Sequence, residues 1–156
     1  MTPKALFNFF AKAEAVTWTA LIGGLIYRAV ATMEPIVLTV IGGIHGAVFL
    51  GYGVTAALVG VNQRWKVRAI VGGILLAIVP YATVPFEVSR NRKGLLEGSW
   101  RRSASSDPRD SGWFDRLFRW FIQRPVLLIL TLLLVVAGIF GFLVWMGPPD
   151  TWAEKF

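Results

Sequence analysis

Residues 36–61, IVLTVIGGIHGAVFLGYGVTAALVGV, contain no charged side chain. A bilayer core about 30 Å thick is crossed by roughly 20 mostly apolar helical residues, so this stretch reads as a membrane-spanning helix. The rest of the chain agrees with that solvent. Of 156 residues, 55% are hydrophobic and 16% charged, and the mean hydropathy is +0.60, too apolar for an ordinary soluble domain.

Working outward, three further apolar runs stand at about 15–31, 69–86 and 126–146. The first is interrupted by Arg28, whose long side chain can snorkel to the headgroups. The third carries Pro80 and Pro85, and Pro80 predicts a kink by removing a backbone donor and freeing the carbonyl of Leu76. The expected fold is an all-α integral membrane protein. A three-helix transmembrane bundle occupies 1–93, a flexible basic linker 94–112, an interfacial amphipathic helix 113–124, a fourth transmembrane helix 126–146 and a short tail 147–156. No signal peptide is expected, because the first apolar run starts late, has Glu14 at its mouth and lacks a small-residue cleavage pattern.

Several chemistries are excluded by residue supply. The chain has no cysteine and one histidine, His45, so thiolate catalysis, disulfides, iron–sulfur ligation and a bis-histidine haem held by this chain alone are ruled out. One imidazole with one carboxylate does not complete a zinc shell. No catalytic set, metal or cofactor is expected. A net charge of +7 and a pI near 10.4 come without a nucleic-acid-binding module, so anionic phospholipid is the expected partner of the basic residues and nucleic acid is not.

Most positive charge lies between Glu87 and Arg124, where nine arginines and lysines face five acidic residues. The final part, GWFDRLFRWFIQRP, sets Phe114, Leu117, Phe118, Phe121 and Ile122 at helical spacing, with Arg116, Arg119 and Gln123 on the other side. Trp113 and Trp120 suit the headgroup level, and Arg116, Arg119 and Arg124 suit lipid phosphates; docking on a partner protein is the alternative. With four crossings, both termini and the loop 62–68 would share one side, leaving Arg28 and the long loop on the other. Counting basic residues, the loop 87–125 is expected in the cytoplasm, and the membrane is the plasma membrane.

In the second run Gly46, Gly53 and Gly60 recur every seven residues and Gly42 precedes Gly46 by four, a stripe that lets another backbone approach. His45, Phe49 and Tyr52 lie on a neighbouring line. Gly23, Gly24, Gly72 and Gly73 offer matching points in the flanking runs. Further interaction candidates are Glu14, Trp18, Pro80 and Pro85.

EAVTW (14–18), HGAVFLGY (45–52), Trp65 in the short basic loop and VPF (84–86) followed by a basic stretch together resemble an uncharacterised integral-membrane family common in actinobacteria, domain-of-unknown-function family 3817. The resemblance covers about residues 7–93. Members often have glycine after the Pro-Phe pair, where this chain has Glu87, and no activity comes with the name.

Glu14 reads either as a carboxylate held by water and the helix dipole at a helix start, or as an ion or proton carrier, or as a subunit contact. His45 reads as an interhelical hydrogen bond to a carbonyl, to Thr17 or Thr19, or to Glu14. The leading expectation is a non-enzymatic accessory, stabilising or assembly subunit of a larger membrane complex, with a respiratory-chain cytochrome complex as the first candidate. The alternatives are a small proton-linked carrier using Glu14 and His45, and a lipid-binding membrane module.

Overall fold

The structure, a computed structural model, describes residues 1–147. The tail expected over 147–156 lies, beyond Gly147, outside the described residues. These fold as two compact units, Met1–Trp100 and a second beginning at Arg101, and every regular element among them is helical.

The first unit starts with α1 (Pro3–Val30). Thr2 caps it by accepting the Ala5 amide (3.1 Å), and Pro3 takes the first helical position, where its missing N–H costs nothing. After a short turn, α2 (Pro35–Asn62) begins on another proline. Each has 28 residues, about 42 Å at 1.5 Å per residue, and both are long and apolar enough to cross a membrane.

The two helices run antiparallel. A Cβ at Gly24 would lie 3.2 Å from Leu38 and 3.3 Å from Ile41, and one at Gly51 would collide with the Phe10 ring. Arg64 ends α2 in the left-handed region (φ 53°), which lets the Trp65 amide bond back to the Gly60 carbonyl (2.8 Å) and turns the chain onto the bundle.

The third apolar run departs from expectation. It is not one crossing helix over 69–86 but α3 (Val67–Leu75), a 3-10 turn Leu76–Ile78, a break, and α4 (Thr83–Arg92). Pro80 has no N–H, and its ring would clash with the carbonyl four residues back, so the helix cannot pass it. The carbonyl of Leu76 is not left free, since the Val79 amide takes it (3.1 Å). Tyr81 then adopts φ 66°, a left-handed conformation costing a β-carbon-bearing residue roughly 1–2 kcal/mol.

Past the break the chain reverses. Trp18 on α1 meets Ala77, whereas Thr83 is back at Ala11 and Phe86 at Phe7. Trp100 then donates its indole N–H to the Met1 carbonyl (2.9 Å). The segments α3 and α4 thus form a hairpin that reaches only to the level of Trp18 and Thr19 and returns to the end where α1 began.

That end carries the core. Phe7 packs against Tyr52, edge-on against Trp65 and against Phe86, with ring centroids 5.6–6.3 Å apart, and Arg90 lies over both the Trp65 and Phe86 rings at 5.2 and 4.7 Å. The stretch after α4 belongs here and not to a flexible linker. Gly94 takes φ 65°, Leu95 bonds back to Arg90 (3.0 Å), Leu96 is fully buried, and the Leu95 and Ser99 carbonyls accept from Trp65 (2.9 Å) and Asn62 (3.1 Å).

In the second unit, residues 101–112 are also pinned. Asp110 accepts from Arg101 and Arg119 (each 3.1 Å) and from the amide and hydroxyl of Ser105 (2.7 and 2.6 Å). A 3-10 turn, Pro108–Ser111, leads to α5 (Trp113–Ile122) and then α6 (Pro125–Met146). With 22 residues, α6 spans about 33 Å, and Pro125 opens it.

The glycines divide into two groups. A Cβ at Gly60 would stand 2.6 Å from Ile70 and 3.2 Å from Trp65, and one at Gly73 2.7 Å from Phe86; Gly53 is 3.8 Å from Ile74, an ordinary contact. Gly42 and Gly46, expected in the same packed stripe, meet nothing within 4 Å, and neither do Gly23 and Gly72. The hairpin stops short of some of them, which is why the stripe is only half used. Gly60→Val is expected to destabilise the chain in detergent by about 1–3 kcal/mol through overpacking, while Gly46→Val leaves the melting temperature unchanged; circular dichroism melts of both check this.

Candidate functional site

Glu14 is the centre of the polar chemistry. It lies well inside α1, so its carboxyl is nowhere near a helix start and gains nothing from the end dipole. It is also 0% exposed; the expectation of a water-bathed carboxylate at a helix entrance does not hold. Its Oε2 accepts from the Thr83 hydroxyl at 3.0 Å, and that same hydroxyl lies 3.2 Å from the Ala11 carbonyl. Its Oε1 has no partner. Tyr52, reaching in from α2, is fully buried with an unpartnered hydroxyl.

One turn further along α1, Thr17 joins two elements. Its hydroxyl stands 3.0 Å from the Glu14 carbonyl and 3.1 Å from His45 Nδ1. With one hydroxyl proton to share, donation to the carbonyl makes Nδ1–H the donor to the hydroxyl. Trp18 packs its ring 4.5 Å from that imidazole and gives its N–H to the Ala77 carbonyl (3.2 Å). Phe49 flanks His45 at 6.4 Å. Among the partners weighed for His45, the structure selects Thr17, and no direct Glu14–His45 bond is formed.

The remaining candidates fall as follows. Pro80 lies in the break, and Pro85 is exposed in the first turn of α4, where proline is tolerated. Glu87 is buried, and Asn8, with its amide turned to satisfy both ends, donates to it at 2.8 Å and to the Lys4 carbonyl at 3.0 Å. An α1 side chain thus accommodates this buried acid. Thr83, which sequence reasoning missed, is the residue that ties Glu14 down; its one signal is a hydroxyl set between two prolines in an apolar run.

In the second unit, α5 has two faces. Phe118, Ile122 and Arg119 are buried, whereas Trp113 (70% exposed), Phe114, Leu117 and Trp120 point outward. Arg119 therefore drops out as a headgroup ligand: its guanidinium is spent on the Asp110 carboxylate (3.1 Å) and carbonyl (2.6 Å). Burying an arginine requires such a counter-charge, a demand that helical spacing alone does not reveal. Arg116 is exposed, and Arg124 lies 4.6 Å over the Trp120 ring, so both stay on the outward side.

Thr83→Val is expected to lower thermal stability by about 1–3 kcal/mol, because it strands a buried carboxylate oxygen, while Thr83→Ser restores most of the loss; parallel melts in one detergent decide it. Asp110→Asn removes the charge that gathers Arg101 and Arg119, and limited trypsinolysis should then cut within 101–112 faster than in the parent.

Comparison with known proteins places this architecture. A similar protein is one from Streptomyces coelicolor whose name describes it as a membrane protein, 30% identical over 91 residues. The aligned part covers 58% of this chain but 11% of that relative, so the chain spans about a tenth of the relative's length. No solved structure matches. A family profile matches residues 4–92, which end where α4 ends, and the chain, an all-α membrane protein, belongs to that family, described as a domain of unknown function (DUF3817).

Proposed function

We propose that this chain is a non-catalytic accessory, stabilising or assembly subunit of a larger complex in the plasma membrane. One observation carries the reading. Because the α3–α4 hairpin turns back at Trp18, the far halves of α1 and α2 stand as a bare helix pair, with Leu25, Ile26, Val30, Ile36, Val40 and Ile44 exposed. Gly23, Gly42 and Gly43 there have nothing within 4 Å. Such notches let a partner helix approach closely where lipid chains would pack less well. A respiratory-chain cytochrome complex is the first partner to test, on the actinobacterial context of the relative.

The hairpin also bears on orientation. It brings Lys4, Arg64, Lys66, Arg68, Arg90, Arg92 and Lys93 to one end of the first unit, and the basic stretch from Arg101 continues the chain with no span before α6; Arg28 stands alone at the other end. The basic end is therefore cytoplasmic. The amino terminus accompanies it, in place of the earlier expectation that both termini lie opposite the long loop. Taken by itself, the outward face of α5 suits a leaflet surface, with Arg116 and Arg124 beside anionic headgroups.

A second reading, a small proton-linked carrier, draws on the unpartnered Glu14 oxygen. It requires that Glu14→Gln abolish a measurable flux with folding intact.

Purification of a tagged chain from actinobacterial membranes in mild detergent is expected to bring down cytochrome absorbance in stoichiometric amount, and Gly42→Leu is expected to lose it without loss of melting temperature. A lone monomer or homo-oligomer would overturn the accessory reading. Since the chain lacks cysteine, single cysteines at Thr2 and Ser103 should both be shielded from impermeant maleimide in intact cells.

A further inference from the structure

We propose that Glu14, Thr83 and the Ala11 carbonyl form a binding site for one monovalent cation, a proton or a sodium ion, carried on Glu14 Oε1. The inference goes beyond the accessory reading and does not depend on it. Its basis is an imbalance in the buried cluster. A fully buried carboxyl uses one oxygen, 3.0 Å from Thr83, and leaves the other without any partner. A carboxylate in that state forfeits solvation on one oxygen and is not tolerated without compensation.

Every element packed around it fails to supply the compensating charge. From α2 come Tyr52, whose hydroxyl is itself unpartnered, and His45, already engaged with Thr17. From α4 come Thr83 and, a turn on, Glu87, a second acid bound to Asn8. From the end of α3 comes the Ala77 carbonyl, taken by Trp18, whose indole also adjoins the carboxyl. On α1 itself Lys12 is exposed. No arginine or lysine forms an ion pair with Glu14 among the described residues.

The donor set fixes the class of ion. One carboxylate, a hydroxyl and a backbone carbonyl are hard oxygen groups with a single negative charge, and no group of three or more acidic or imidazole side chains stands among the described residues to hold a divalent ion. A proton on Oε1 neutralises the carboxyl and turns that oxygen into a donor. A sodium ion would share Oε1 with neighbouring oxygens. The two are linked by simple exchange, in which the acid form plus sodium gives the sodium carboxylate plus a free proton. The break at Val79–Ala82, immediately before Thr83, is an interruption in the helical wall next to the site.

Infrared difference spectroscopy on the full chain in phospholipid nanodiscs tests this. A carboxylic acid C=O band that disappears as pH rises, is absent from Glu14→Gln and does not respond when choline chloride is replaced by sodium chloride identifies a proton site. The same band lost on adding sodium at fixed pH, with one proton released, identifies sodium competing at the site. Thr83→Val keeps the carboxyl but removes its one hydrogen bond, and should move the midpoint by about tenfold in proton or sodium concentration; it also reads the site where Glu14→Gln does not fold. A chain with no band that depends on Glu14 or Thr83 at any pH where it stays folded, and with no sodium response, would overturn the proposal.

Discussion

A helix that stops among lipid chains must find partners for the carbonyls and amides it frees; here the hairpin's own turns pair most of them, and α1 takes one more carbonyl and the hairpin's polar side chains. Trp18 takes the carbonyl of Ala77, Thr19 reaches the Tyr81 hydroxyl (3.3 Å), and the Ala11 carbonyl and Glu14 carboxyl receive Thr83 on the way back. These contacts fall on one side of α1 within three turns. Without them the Ala77 carbonyl and the hydroxyls of Tyr81 and Thr83 would lose these partners. With them the third apolar run can fold as a hairpin, which in turn closes the aromatic cluster around Phe7 and brings Trp100 back to Met1.

The buried acid and the break are therefore one device. Glu14 positions Thr83, and Thr83 opens α4. A polar residue in a membrane bundle can specify register where apolar packing alone would permit sliding, and Glu14 does this between α1 and α4 as Thr17 does between α1 and α2. One mismatch stays at that device, since Glu14 Oε1 is buried without a hydrogen-bond partner.

The fold class was legible because charge-free runs of more than twenty residues admit one solvent. The α2 boundaries, 36–61 expected and Pro35–Asn62 found, follow from that. The hairpin was less visible, since hydropathy averages over 69–86 and registers Pro80 as a kink; whether a proline bends or reverses a helix depends on what waits beside it, here Trp18 and Thr19. The glycine stripe misled for a related reason. Seven-residue spacing places Gly46 and Gly60 on one face, but only Gly60 lies where α3 is present to fill the notch. Arg119 was assigned to lipid because helical spacing gives a face without saying which face turns inward, and Asp110, nine residues earlier, decides that.

The half-length of the hairpin also sets an order of assembly. Neither α3, nine residues long, nor α4, ten residues long, offers the insertion machinery a segment that can be released sideways into lipid as a finished span. The hairpin has to wait for α1 and α2 to be in place and then dock on a surface they present together. Biogenesis of this unit is thus sequential: the first two helices act as the template on which the third element acquires a structure that its own sequence cannot hold.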